Sequence, residues 1–200
     1  KTIWPLFHYF TNKTEYHDDL WAAYQDVNNR FYEAVAPIIE ENDTVWIHDY
    51  QLMLLPDMIR KRFPNIKIGF FLHIPFPSFE IYRLLVWRDQ ILYGLLGADL
   101  IGFHTYDYVR HFLSSVRRLL GYENNLNKIT YEDRYVQVDA FPMGIDYNRF
   151  TNEYNTHEFQ QEVQRIVNST QGEKVILSVD RLDYTKGIPE RLKAFDLFLR

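Results

Sequence analysis

Apolar positions follow two alternating periods along this chain. Over residues 16–36, Leu20, Tyr24, Val27, Phe31 and Ala34 recur at spacings of four and three, which predicts an amphipathic helix. A short apolar run at 45–47 follows and closes on His48-Asp49-Tyr50, the signature of a strand ending in a polar turn. The alternation then repeats. A helix is predicted over 52–63, stopped by Pro64, and a strand over 67–72, ending at His73. A helix over 79–96 leads to a strand over 99–103, ending at His104. A helix over 106–120 closes at Gly121, a fitting C-terminal cap, and a last strand spans 135–140. Short apolar strands alternating with helices predict a doubly wound α/β fold, with a parallel sheet covered on both faces.

The pattern changes at residues 148–172, which are polar and carry one amphipathic segment near 158–167. A new apolar strand is predicted at 175–179, with a helix from Pro189 onward, where a missing N–H costs nothing. The expected organisation is an α/β domain over 1–150, a connector over 151–173 and the start of a second domain over 174–200. The first residue is Lys1 and the last helical run stops at Arg200, so an internal piece of a longer protein is expected.

Composition narrows the functional classes. With 46% hydrophobic and 17% aromatic residues the chain can bury a core. Eight Gly and eight Pro in 200 residues exclude collagen-like and low-complexity readings. There is no cysteine, hence no disulfide framework and no thiolate metal site, which fits a reducing, cytoplasmic setting. Lys plus Arg total 22 against 27 Asp plus Glu, a net charge of −5, which argues against a nucleic-acid binder working by bulk charge. No apolar run reaches the ~18–20 residues of a membrane span.

Open α/β sheets bind ligands beyond the carboxyl ends of their strands. The unusual polar residues of this chain collect there: His48 and Asp49, His73, His104, then Asp180, Arg181, Asp183 and Lys186. Arg181 offers a planar fork and Lys186 a point charge, just before a helix N-terminus, a combination suited to a diphosphate. The competing reading pairs them with Asp180 and Asp183 at the surface. Asp49 and His73 suit sugar hydroxyls or proton transfer, against a helix N-cap for Asp49 and a packed core histidine for His73. His48, His73 and His104 suggest a zinc triad, but no His-x-x-x-His helix or carboxylate cluster supports one. Trp4, in Trp4-Pro5-Leu6-Phe7-His8-Tyr9, is either a sugar-stacking face or a hydrophobic anchor. The cluster Arg60-Lys61-Arg62 reads as a solvated helix end.

Taken together, several of these motifs resemble the trehalose-6-phosphate synthase family. The match rests on Trp4-Pro5-Leu6-Phe7-His8-Tyr9, Trp46-Ile47-His48-Asp49-Tyr50 and Gly69-Phe70-Phe71-Leu72-His73-Ile74-Pro75-Phe76-Pro77. Trp87-Arg88, the run from Leu95 to Phe103 and Asp180-Arg181-Leu182-Asp183-Tyr184-Thr185-Lys186-Gly187 extend it over essentially the whole chain. The resemblance implies a retaining glycosyltransferase of the two-domain GT-B fold (family 20). It implies transfer of glucose from UDP-glucose to glucose 6-phosphate, giving α,α-trehalose 6-phosphate and UDP. Arg181 and Lys186 then correspond to the pair holding the donor diphosphate without a metal ion or other cofactor. His73 corresponds to a contact to the donor glucose, Asp49 to the carboxylate on acceptor hydroxyls and Trp4 to the aromatic wall of the acceptor site. His48 and His104 receive no role. Parts of the family's site lie outside the sequence, so the 200 residues alone are expected to be inactive. Another GT-B transferase, a non-catalytic regulatory family member and, last, a two-carboxylate hydrolase are the alternatives. A homo-oligomer and a fused phosphatase domain remain open.

Overall fold

A computed structural model describes residues 1–200, which separate into two units, Lys1–Pro142 and Met143–Arg200. In the first unit, α1 (Ile3–Phe7) and α2 (Asp18–Val35) precede β1 (Thr44–His48), α3 (Leu55–Arg62) and β2 (Lys67–Phe71). Then come α4 (Phe79–Tyr82), α5 (Arg88–Leu96), β3 (Leu100–Phe103) and α6 (Tyr106–Leu120). The hairpin strands β4 (Asn124–Asn125) and β5 (Lys128–Tyr131) lead into β6 (Arg134–Ala140).

The sheet order is β1-β2-β3-β6-β5-β4, with β1, β2, β3 and β6 parallel. The α/β class expected from the sequence is the class observed. The antiparallel edge of β4 and β5 was not anticipated. Its β4–β5 turn places Leu126 (φ 46°) and Asn127 (φ 63°) in the left-handed region without the Asn-Gly pair that announces such a hairpin.

Strand register explains the core. Ile47 pairs with Phe70, Phe70 with Ile101 and Ile101 with Val138, and all four are buried. Trp46 and Leu100, next to Ile47 and Ile101, point the other way and are exposed, as is Tyr135 beside the buried Val136 of β6. The helices of this chain therefore bury one face of the sheet and leave parts of the other open, where the sequence predicted cover on both. Helix α2 differs as well. Of the predicted stripe, Leu20, Val27 and Phe31 are exposed, and the helix instead buries Trp21 and Asn28.

The predicted helix over 79–96 is two helices. The break lets Trp87 stack on Trp21, with ring centroids 4.8 Å apart and planes at 4°. Tyr82 closes the bend by donating its hydroxyl proton to the Arg88 carbonyl at 2.9 Å. Helix α5 crosses α3 so closely that a Cβ on Gly97 would sit 2.2 Å from the Asp57 nitrogen. Only glycine permits that approach. Helix α6 keeps its predicted bounds, with Thr105 capping its start and Gly121 (φ 78°) its end.

Arg60 is a further correction. Its side chain is only 12% exposed. It donates to the Gly97, Pro64 and Ile66 carbonyls and to the Asp99 carboxylate at 2.7 Å. Arg134 donates to the Leu96 and Ala98 carbonyls. Two arginines thus satisfy carbonyls that the end of α5 leaves open.

The second unit contains α7 (Tyr147–Asn152), α8 (His157–Thr170) and α9 (Ile188–Leu199). The predicted strand at 175–179 is absent; the segment joins no sheet. A strand is defined by its ladder, and this unit supplies no second strand to complete one. No helix of the chain is long and apolar enough to cross a membrane.

Candidate functional site at the strand ends

Asp49 follows β1 with φ 72° and ψ 170°, backbone that is nearly glycine-only. Three hydrogen bonds hold it there. Its N–H donates to the Phe71 carbonyl at 2.8 Å, and its carbonyl accepts from the Leu52 N–H at 3.2 Å. Its carboxylate Oδ1 accepts from the His73 N–H at 3.2 Å. The N-cap alternative fails, because Asp49 makes no side-chain capping bond to the turn that follows.

The turn after Asp49 is pinned from α2. Tyr24 donates its hydroxyl proton to the Tyr50 carbonyl at 2.7 Å and accepts from the Met53 N–H at 3.1 Å. Asn28, fully buried, donates to the Gln51 carbonyl at 3.0 Å and accepts from the Leu54 N–H at 3.2 Å. Burial pushes the Tyr24 phenol far up, so it stays a neutral hydrogen-bonding group. Sequence reasoning placed Tyr24 on an apolar stripe and passed over Asn28. A polar residue at a helix position destined for burial was the available signal.

His73 is exposed rather than a packed core histidine. The register pairs His48 with Phe71, two positions before His73, and this brings the two imidazoles together. His48 Nδ1 lies 3.0 Å from His73 Nε2. His104 stands with its ring 5.7 Å from that of His73, and the Phe71 ring contacts both. Gly102, paired with Phe71, leaves room for that ring: a Cβ there would meet it at 2.6 Å. Partial desolvation, opposed by Asp49 and reinforced by His48 and His104, draws the His73 imidazole below its usual range. No three His, Asp or Glu side chains are placed to share a metal ion.

Trp4 is half-buried, its ring 4.2 Å from that of His8 and 5.6 Å from that of Tyr50, the residue after Asp49. It also lines an apolar groove of about 440 Å³ with Trp21, Tyr24 and Trp87. The larger cleft, about 1060 Å³, lies elsewhere, beside Pro64-Asn65 and Glu132-Asp133, which precede β2 and β6. Arg60 and Arg134 line it, but their donors already serve the end of α5.

Arg181 and Lys186 lie in the second unit, both exposed, on either side of a turn closed by Asp183. Asp183 Oδ1 accepts from the Thr185 N–H at 2.8 Å and from its hydroxyl at 2.7 Å. Gly187 (φ 62°) then starts α9. The proposed surface pair between Arg181 and Asp180 is not formed. Asp180 instead takes Arg191 of α9 at 2.7 Å, and Arg191 also donates to the Lys186 carbonyl and to Ser178. Arg191, unnoticed in the sequence, ties the loop to its helix.

The whole chain, residues 1–200, matches the profile of glycosyltransferase family 20. It is 46% identical over 202 residues to the 56 kDa subunit of the UDP-forming alpha,alpha-trehalose-phosphate synthase of Saccharomyces cerevisiae. That alignment covers 98% of this chain and 41% of the yeast protein. The fold matches the Burkholderia xenovorans UDP-forming synthase in complex with glucose-6-phosphate at a TM-score of 0.89 and 30% identity, over 99% of this chain and 44% of that one. It matches the N-terminal domain of Candida albicans trehalose-6-phosphate phosphatase at 0.88 and 38% identity, over 98% of this chain and 43% of that one. The chain thus spans under half the length of these proteins. The strand-end motifs, the sheet that carries them and the full-length profile match agree: this chain belongs to glycosyltransferase family 20.

Proposed function

We propose that this chain carries the acceptor-side domain and the beginning of the nucleotide-sugar domain of a UDP-forming α,α-trehalose-phosphate synthase. The reaction moves glucose from UDP-glucose to glucose 6-phosphate with retention. The bond from the anomeric carbon to the UDP phosphate oxygen breaks. A bond to the acceptor hydroxyl forms on the same face, and the hydroxyl proton passes to the leaving phosphate oxygen.

In this reading Asp49 accepts hydrogen bonds from acceptor hydroxyls and Trp4 walls the acceptor sugar. His73 meets the donor glucose. Arg181 and Lys186 neutralise the diphosphate as negative charge grows on it, an electrostatic contribution that needs no metal ion. The observation that carries the reading is Asp49. A non-glycine residue held at φ 72° by three hydrogen bonds, at the carboxyl end of a parallel strand, is backbone strain at the sheet edge where open α/β folds bind ligands, and this supports the reading. The yeast relative, named as a UDP-forming synthase subunit, gives the donor and product class.

The test is UDP release by the full-length protein carrying this segment, with both substrates and with the disaccharide phosphate identified by NMR. Turnover that survives EDTA supports the metal-free diphosphate site. Absence of UDP release with UDP-glucose and glucose 6-phosphate overturns the assignment. A second reading follows from the Candida protein, whose N-terminal domain belongs to a phosphatase: a non-catalytic module that senses sugar phosphates. It predicts glucose 6-phosphate binding by calorimetry with no turnover.

A further inference from the structure

His48 is left without a role by the reaction above, yet it makes the most specific contact in the strand-end cluster. Its Nδ1 lies 3.0 Å from His73 Nε2, with the rings 5.2 Å apart and at 22°. One proton sits between these nitrogens. If His48 donates, His73 carries its own proton on Nδ1; if His48 accepts, His73 Nδ1 is a bare acceptor. The two tautomers are therefore locked together. The pairing follows from strand register, since His48 sits opposite Phe71 and the chain turns His73 back over it.

We propose that His48 is a positioning residue for His73: it engages Nε2, fixes the ring, and leaves Nδ1 as the nitrogen that meets the donor sugar. The proposal rests on the reading of His73 as a donor-sugar contact. The chemistry gives the pairing a purpose. Glycosyl transfer passes through a state with positive charge on the sugar ring, so an imidazolium beside it would oppose the reaction, whereas a neutral imidazole does not.

The groups facing His73 are His48 from the end of β1, Asp49 from the next turn, the Phe71 ring from β2 and His104 from beyond β3. Of these only Asp49 favours protonation; His48 and His104 oppose it, and partial desolvation opposes it most. The ring is thus held neutral to a lower pH than a free imidazole, whose pKa is about 6.5.

Two variants test this. His48→Phe keeps a ring but removes the nitrogen. His48→Asn places an amide near the same point, able to donate or accept but never charged. In the full-length enzyme His48→Phe is expected to lower kcat about tenfold, the scale of losing a group that orients a functional histidine. The acid limb of the kcat/KM profile should move to higher pH. His48→Asn should restore kcat to within about threefold, while its acid limb shifts with that of His48→Phe, because neither side chain carries the charge of His48. Equal losses in both variants with an unmoved acid limb would overturn the proposal.

A readout independent of turnover is the imidazole ¹⁵N spectrum of the full-length protein carrying this segment. Wild type should show a single His73 tautomer. His48→Phe should show a mixture and a raised His73 pKa. Unchanged His73 shifts in His48→Phe would also overturn the pairing. If the full-length enzyme releases no UDP, the function reading fails, and the spectrum still decides the pairing.

Discussion

Strand β2, in the first unit, and residues 175–179, in the second, are short apolar runs of the same kind, but the molecule treats them oppositely. Ile68 and Phe70 of β2 are 1% and 2% exposed. Ile176 and Leu177 are 71% and 82% exposed. The first run has parallel partners on both sides and helices beneath it; the second has neither. The contrast extends to the units as wholes. Every buried residue of the chain lies in Lys1–Pro142. An apolar sequence thus specifies a buried strand only when its ladder partners are present, because unpaired backbone groups cannot be taken out of water cheaply.

The strongest way to break this comparison is at Asn28. Replacing it with Ala strands the Gln51 carbonyl and the Leu54 N–H in the first unit's interior. We expect a loss of about 3 kcal/mol in unfolding free energy, read by urea titration. A loss under about 1 kcal/mol would show that the pin from α2 does not hold the Asp49 turn.

Next is Arg181→Ala in the full-length protein. The first-unit core should be untouched, and donor affinity should fall by about 2 kcal/mol, the scale of a charge-assisted contact to phosphate. Unchanged donor affinity by fluorescence titration would remove the second unit's exposed cations from the diphosphate site.

A smaller effect is expected at Asp49. Both Asp49→Ala and Asp49→Gly remove the bond to the His73 N–H, but only glycine relaxes φ 72°. After allowing for glycine's unfolded-state entropy, the Gly variant should be more stable than the Ala variant by about 1 kcal/mol. Both should lose acceptor binding. Equal stability would mean that the backbone there is unstrained.

The smallest effect belongs to the second unit. Leu177→Ser should change the stability of the chain by no more than about 0.5 kcal/mol, read from its thermal midpoint, since the side chain is already 82% exposed. A drop of several degrees would reveal a second-unit core.

Asp49 and His73 were legible in the sequence as polar residues that follow apolar strands, and strand pairing brings them into hydrogen-bond contact. The pairing of His48 with His73 was not legible. It depends on β1 and β2 being in register at His48 and Phe71, and register is set across strands. Arg60 reads as a surface charge until Gly97 brings the end of α5 against α3 and supplies the carbonyls it binds.

The amino-acid order by itself determined where the parallel strands and helix α6 lie, the α/β class and the family, because periodicity, caps and turn residues act over a few neighbours. Only the tertiary structure decided which face of α2 is buried, that the helix over 79–96 breaks to stack Trp87 on Trp21, and that residues 175–179 remain unpaired. Each of these depends on a partner distant in the chain. Burial, hydrogen-bond pairing and backbone strain are properties of that partner as much as of the residue itself.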